Sequence, residues 1–333
     1  MDANLLDNRL GVRFNYFRSA TDHLLMWQEM SFLSGLDKTW GNGGKLENRG
    51  FDVEATGVVW ASPSWQWQVG ASVGHYKNEV TALPDGQQYM DTEILGATVR
   101  TEIGRPANLF YGYKTKGVFA TSAEAQAAGL YVRDANGVDR TAFEAGDVHF
   151  VDLDGDHFVT EADRTVIGDP NPDIYGNIFT TVQYRRFRLD VRFNYSLGND
   201  IYNYMRQQLE SGSRFMNQTT ALARRWQVEG QQTDIPRLSF QDPMGNSRFS
   251  DRWIEDGSYL RLKTVTLSYD LPISSTFLQG LQFWVQANNV FTLSRYLGAD
   301  PEGAALSAVL GQGIDAGSVP QSRNFMVGIK ISL

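Results

Sequence analysis

The stretch RFRLDVRFNYSL, residues 186–197, places Phe187, Leu189, Val191, Phe193, Tyr195 and Leu197 on one parity, against Arg186, Arg188, Asp190, Arg192, Asn194 and Ser196 on the other. Successive side chains of an extended chain point to opposite faces, so this period of two dictates a β-strand with one oily and one wet face. The pattern recurs. Leu10, Val12, Phe14 and Tyr16 alternate with Arg9, Gly11, Arg13 and Asn15. Phe51, Val53, Ala55 and Gly57 alternate with Asp52, Glu54 and Thr56, and Trp65, Trp67, Val69, Ala71 and Val73 with Gln66, Gln68, Gly70 and Ser72. Toward the end, Leu281, Phe283, Val285 and Ala287 oppose Gln282, Trp284, Gln286 and Asn288, and the same parity runs through Phe325, Val327, Ile329, Ile331 and Leu333.

Short links at Ser62-Pro63-Ser64, at Tyr184-Arg185-Arg186 and from Leu271-Pro272 to Gly280 join these segments into hairpins. They alternate with long connections near 28–47, 116–172 and 203–257, far beyond the usual length of about 4 to 6 residues. Short turns on one side and long loops on the other are the asymmetry of an antiparallel transmembrane β-barrel. A soluble sandwich also alternates, with one face in its core. Length favours the barrel, because several segments alternate for 10 or more residues, as a tilted membrane strand of about 9 to 11 needs, where soluble strands cluster at about 5 to 6. A Lys or Arg facing mid-bilayer lipid costs roughly 2 to 4 kcal/mol, and the apolar faces carry none. Trp60, Trp65, Trp67, Tyr184 and Tyr195 near segment ends suit interfacial aromatic girdles. In SYLRLKTVTLSYDLP the apolar parity changes between Leu262 and Val265, which implies a bulge near Lys263-Thr264 or an inward-facing apolar patch. Short helices are expected only at 122–129 and 218–228, inside the long connections.

Composition removes other classes. A formal charge of −8, with no Lys/Arg run beyond Arg185-Arg186 or Arg224-Arg225, excludes a nucleic-acid partner, which needs a basic face. No apolar run approaches the roughly 18 residues of a membrane helix, and MDANLLDNRL has neither the basic start nor the apolar core of a secretory signal. Zero Cys excludes disulfides and cysteine-ligated metal.

FVDLDGDHFVTEADRTVIGDPNPD at 150–173 is followed by GNDIYN, RRW, TDIPR, SDRWIEDGSYLRLKTVTLSYDLP, NNVFTLSRYLGADPE and PQSRNFMVGIKISL. This series resembles the C-terminal part of the SusC/RagA-type TonB-linked outer-membrane proteins over about residues 145–333. The resemblance implies the C-terminal half of a large transporter barrel in the outer membrane of a Gram-negative bacterium, surrounded by lipid. It also implies import of oligosaccharide or peptide fragments, energy delivered by TonB through a plug domain, and a SusD-like surface lipoprotein as partner. No plug, TonB-binding segment or signal is legible here, so the expectation is a partial barrel that does not transport alone. It either stays an open curved sheet or closes into a smaller barrel. No enzyme and no required cofactor are expected. The alternative is a soluble or surface β-sheet module whose long loops bind a ligand.

Within that series, Asp152, Asp154, Asp156 and Asp163 fall at positions 1, 3, 5 and 12 of an EF-hand loop, with the Phe158 carbonyl at position 7. These five form a candidate structural calcium site. Against it, His157 stands where Gly favours the sharp turn, Asp163 has a shorter arm than Glu, and no helices flank the loop. The competing reading is a stiff loop whose aspartates cap turns and backbone amides. Histidines at 23, 75, 149 and 157 form no zinc spacing, GNGGK at 41–45 lacks the Walker pattern, and no G-x-S-x-G elbow is present. The wet face of the opening stretch, Arg186, Arg188, Asp190, Arg192 and Asn194, is read as a lumen wall holding mutual ion pairs, with contact to plug or substrate as the functional alternative.

Overall fold

The computed structural model describes residues 1–30, 33, 35, 38–133, 140–273, 277, 279–303 and 311–332. Nine strands form one antiparallel sheet in chain order: β1 (Asp2–Leu5), β2 (Leu10–Glu29), β3 (Lys38–Ser62), β4 (Trp65–Ala82), β5 (Ile174–Tyr184), β6 (Phe187–Leu197), β7 (Tyr259–Leu271), β8 (Gly280–Ser294) and β9 (Asn324–Ser332). Sequential neighbours pair throughout, and β1 and β9 each pair on one side among the described residues.

The register explains why the alternation matters. Val12, Ala55, Ala71, Ile178, Phe193, Leu262 and Phe291 are successive cross-strand partners from β2 to β8. One step along, Arg13, Glu54, Ser72, Asn177, Asn194, Arg261 and Thr292 form the neighbouring row on the opposite face. A slip of one residue in any strand would drive polar side chains into the apolar face, so the hydrophobic pattern pins the register. The apolar face covers no core. Ile178 is 46 % exposed, Val285 48 % and Val327 79 %, and among the described residues no second sheet packs on them. A two-layer sandwich would bury these rows. Beside the short turns the face ends in an aromatic belt, with Trp65 and Tyr184 rings 5.3 Å apart and Phe187 and Tyr269 rings 4.6 Å apart.

The phase break in β7 is a bulge. Arg192 and Phe193 of β6 face Thr264 and Leu262, leaving Lys263 as the extra residue, and β8 carries a further excess residue opposite it, next to Asn289 with φ 51°. Close approaches of aromatic rings over glycines knit the sheet on its other face. A Cβ on Gly70 would meet the Phe179 ring at 2.3 Å, and one on Gly328 would meet Trp284 at 2.3 Å.

Two expected loops are corrected. The segment 28–47 is mostly strand, since β2 runs to Glu29 and β3 begins at Lys38. Beyond Tyr16 the outer parity becomes Arg18 and Ala20, facing Arg49 and Glu47, so the apolar signal stops while backbone pairing continues. Arg18 clasps Glu47 there with two bonds of 2.8 Å. The connection expected at 116–172 starts at residue 83 and carries its own sheets, including a four-stranded one. Helix α1 (Ser122–Ala128) occupies the first expected helical site, capped by Thr121 and by Gly129 at φ 61°. The second, 218–228, holds only a 3-10 turn at Thr220–Arg224. Leu333 lies outside the described residues.

The buried core sits in these connections. One cluster gathers Tyr113, Phe119, Val148, Phe150 and Met244, and another Phe110, Tyr202, Phe249, Trp253 and Ile314. A buried polar knot binds the two longest connections into one lobe. The fully buried Asp147 accepts bonds of 2.9 Å from Arg237 Nε, Arg237 Nη2, Asn246 Nδ2 and the Glu144 amide, while Asn246 Oδ1 accepts from the Val148 amide at 2.8 Å.

Candidate functional site

The polar face of the sheet carries an open cleft of 500 Å³ lined by Arg13, Asn15, Asp52, Glu54, Ser72, Asn177, Asn194 and Tyr259, among others. Arg13, Glu54, Ser72, Asn177 and Asn194 are successive cross-strand partners from β2 to β6, so the cleft is a product of strand pairing. Arg13 lies 3.1 Å from Asp2 and 3.6 Å from Glu54. In β6, Arg188 grips Asp190 at 2.8 and 3.0 Å, and Asp190 also accepts the Thr181 hydroxyl at 2.7 Å. That pair is internally satisfied, whereas Arg192 is exposed and Asn194 borders the cleft. Arg186 belongs to the turn before β6, where its carbonyl accepts the Asp270 amide at 3.0 Å.

A charge cluster that the sequence reading did not single out sits at the β7 bulge. Arg261, 3 % exposed, bonds the Asp300 carboxylate and lies 2.8 Å from Glu302, and Lys263 reaches Glu302 at 3.2 Å and Gln321 at 2.8 Å. The bulge adds Lys263 to the polar face beside Arg261, and the pair anchors the connection after β8. Burial pushes the Asp300 carboxyl up, but Arg261 and the Gln321 and Glu302 amides outweigh it and hold the group below its ordinary range. The only advance signal was the parity break itself.

In the aspartate loop, ligand oxygens of Asp152, Asp154 and Asp156 lie within 4.8 Å of one another. All three are engaged with backbone. Asp152 accepts the Gly155 and His157 amides at 2.7 and 3.0 Å, Asp154 the Asp156 amide at 3.1 Å, and Asp156 the Phe158 amide at 2.7 Å. Burial raises the Asp152 carboxyl, and the two amide donors more than offset it, leaving it below its usual range. His157 adopts the turn that Gly would favour, at φ 65°. Asp163 stands outside the cluster. It is fully buried, accepts the Leu153 and Thr160 amides at 2.8 Å each, and closes a capping box with Thr160. The clustered oxygens suit a hard cation, but the loop's closing carboxylate is spent on caps.

No protein-family model matches the chain. It is 30 % identical over 344 residues to TonB-dependent receptor P3 of Formosa agariphila, covering 99 % of this chain and 33 % of that protein. TonB-dependent receptor P26 of the same organism is 27 % identical, over 100 % of this chain and 34 % of its own length. A solved structure of the RagAB peptide transporter superposes with a TM-score of 0.78 at 25 % identity, over 99 % of this chain and 34 % of that one. The chain thus spans about a third of the length of the curated relatives it matches. With an exposed apolar face, an opposed polar face and this likeness along almost all of its residues, the chain is similar to about a third of the TonB-dependent receptors and of the RagAB transporter it matches.

Proposed function

We propose that this chain forms the C-terminal barrel portion of an outer-membrane importer for peptide or oligosaccharide fragments, driven through TonB and capped by a SusD-like lipoprotein. The observation that carries this reading is the continuous exposed apolar face across β2 to β9, closed at one edge by aromatic rings. Such a face is stable against lipid and costly against water. About ten steps of β6 at roughly 3.3 Å, tilted by about 40°, span about 25 Å, the height of a barrel's apolar band. The opposite face offers water and solutes a hydrogen-bonding wall of paired charges and carboxamides. Similarity to a peptide transporter supports a peptide cargo, and exposed Phe215 and Phe240, stacked at 4.8 Å on the lobe, support a protein partner there.

Fractionation of the full-length gene product tests the reading. It should sediment with outer membranes and require detergent for release, and cells lacking it should lose uptake of the cargo. Recovery in the soluble fraction without detergent would overturn the proposal.

A further inference from the structure

The apolar parity of the sheet changes character at the end that carries the long connections. On β4 it runs from Trp65 through Val69, Ala71 and Val73 to His75, and the next side chain on that face is Lys77. Register carries the change across three strands. Tyr16, Phe51 and His75 are cross-strand partners, and two residues farther along so are Arg18, Arg49 and Lys77. The three cations therefore form one row on the same face as the apolar side chains, at the roughly 4.8 Å spacing of neighbouring strands. From Trp65 to His75 is about ten steps of roughly 3.3 Å, and a tilt of about 40° turns that into about 25 Å of height, the full apolar band. Two more residues lift Lys77 by about 5 Å, which puts the row in the headgroup layer and not in hydrocarbon.

Like charges directly opposite one another destabilise a sheet unless something neutralises them. The carboxylates of the following row, Glu47 and Glu79, do so incompletely. Glu47 is taken up by Arg18, which holds both of its oxygens at 2.8 Å. Glu79 serves the other two, 3.7 Å from Arg49 and 3.9 Å from Lys77, too far for a hydrogen bond to either. Among the described residues the Arg49 and Lys77 side chains donate no hydrogen bond, and they are 52 % and 51 % exposed. Two neighbouring cations thus share one loosely held carboxylate. A phosphate monoester brings about 1.5 to 2 negative charges and three strong acceptor oxygens, which match both the surplus charge and the unused donors. Continuity with the apolar face selects the source. An anion on this row has the cross-strand pair Val53 and Val73 just below it, so the fitting molecule carries acyl chains beneath its phosphate.

We propose that Arg49 and Lys77, flanked by Arg18, bind the phosphate of an anionic lipid in the leaflet on the side of the long connections. The inference rests on the reading of the apolar face as lipid-facing, and adds to it a headgroup of defined charge held at one place on the barrel wall.

The test holds the full-length gene product in a neutral detergent, titrates it with dioleoylphosphatidic acid and with dioleoylphosphatidylcholine, and counts bound lipid by native mass spectrometry. Phosphatidic acid should bind more tightly. Arg49→Gln combined with Lys77→Gln should weaken one phosphatidic acid site about tenfold and leave phosphatidylcholine unchanged, while Lys77→Arg, which keeps the charge, should retain the site. Lys330→Gln removes a cation from the opposite parity of β9 and should alter neither lipid. Equal binding of the two lipids, no loss in the double variant, an equal loss in Lys330→Gln, or displacement of the lipid by equimolar inorganic phosphate would each overturn the assignment. Failure of the lipid-facing reading itself shows separately, as release of the gene product from membranes without detergent.

Discussion

Replacing Arg237 by Leu should open the lobe without disturbing the sheet. The substitution removes two charge-assisted bonds of 2.9 Å from Asp147, a carboxylate with no solvent exposure, leaving it only the Glu144 amide and the Asn246 carboxamide. Breaking a buried pair by deleting one partner costs about 3 to 5 kcal/mol. The Arg237 side chain is 30 % exposed, so water can reach part of the vacated space, which places the expected cost near the lower bound, about 3 kcal/mol. That corresponds to an opening constant on the order of a hundredfold larger. Hydrogen exchange reads it directly at amides held by the knot: Val148 on Asn246 Oδ1, Phe119 on the Asp147 carbonyl and Arg237 on the Gly146 carbonyl. Amides of β5 and β6 serve as internal controls. The double variant Asp147→Leu/Arg237→Leu should recover much of the loss, since no charge is left buried alone. Less than about threefold acceleration at the knot, or equal acceleration in β5 and β6, would refute the view that this pair locks the lobe independently of the sheet.

Other outcomes follow from the same geometry. Val285→Arg places a cation on the apolar face and should destabilise the protein in lipid vesicles by about 2 to 4 kcal/mol, while Thr266→Arg on the polar face should cost far less; equal penalties would contradict the assignment of faces. Gly70→Val must displace Phe179 and should cost about 1 to 3 kcal/mol in a denaturant titration, whereas Gly57→Val, whose nearest neighbour lies at 3.8 Å, should be tolerated. His149, lowered mainly by burial and then by Lys116, stays neutral in the fold, so its contribution is complete above the ordinary value of 6.5 and declines as pH falls from there toward the lowered value; His149→Phe should flatten that dependence in thermal melts. A calcium titration by calorimetry reads the aspartate loop: heat should vanish in Asp154→Ala and persist in Asp163→Asn, and no heat in the unmodified protein would leave the loop as a turn-capping device.

The sheet was legible in one dimension because its determinant is local. A period of two, held from Phe187 to Leu197 and echoed in the other long strands, prescribes both the strand and its two faces, and matching parities then dictate which rows align. Even the bulge at Lys263 announced itself as a broken parity. The outer parts of β2 and β3 did not, because past Tyr16 the strict alternation lapses, with Arg18 and Ala20 on the outer parity and then a consecutive run at Leu24, Leu25 and Met26, so pairing there depends on backbone bonds that leave no period-two mark. Among the aspartates, the oxygens of Asp152, Asp154 and Asp156 lie together, whereas Asp163 accepts the amides of Leu153 and Thr160, which no spacing rule encodes.

What the amino-acid order determined by itself was therefore a wide antiparallel sheet, apolar on one face and polar on the other, and through its motifs a likeness to the TonB-dependent receptors. The lobe was decided only in three dimensions. Its cores collect Phe119, Phe150, Met244, Tyr202 and Trp253 from distant turns, its knot joins Asp147 to Arg237, and a groove between α1 and the aspartate loop brings Gln232 beside His149. Contacts between residues so far apart in the chain carry no periodic signature, because they arise from packing of irregular segments whose individual sequences are each compatible with many conformations.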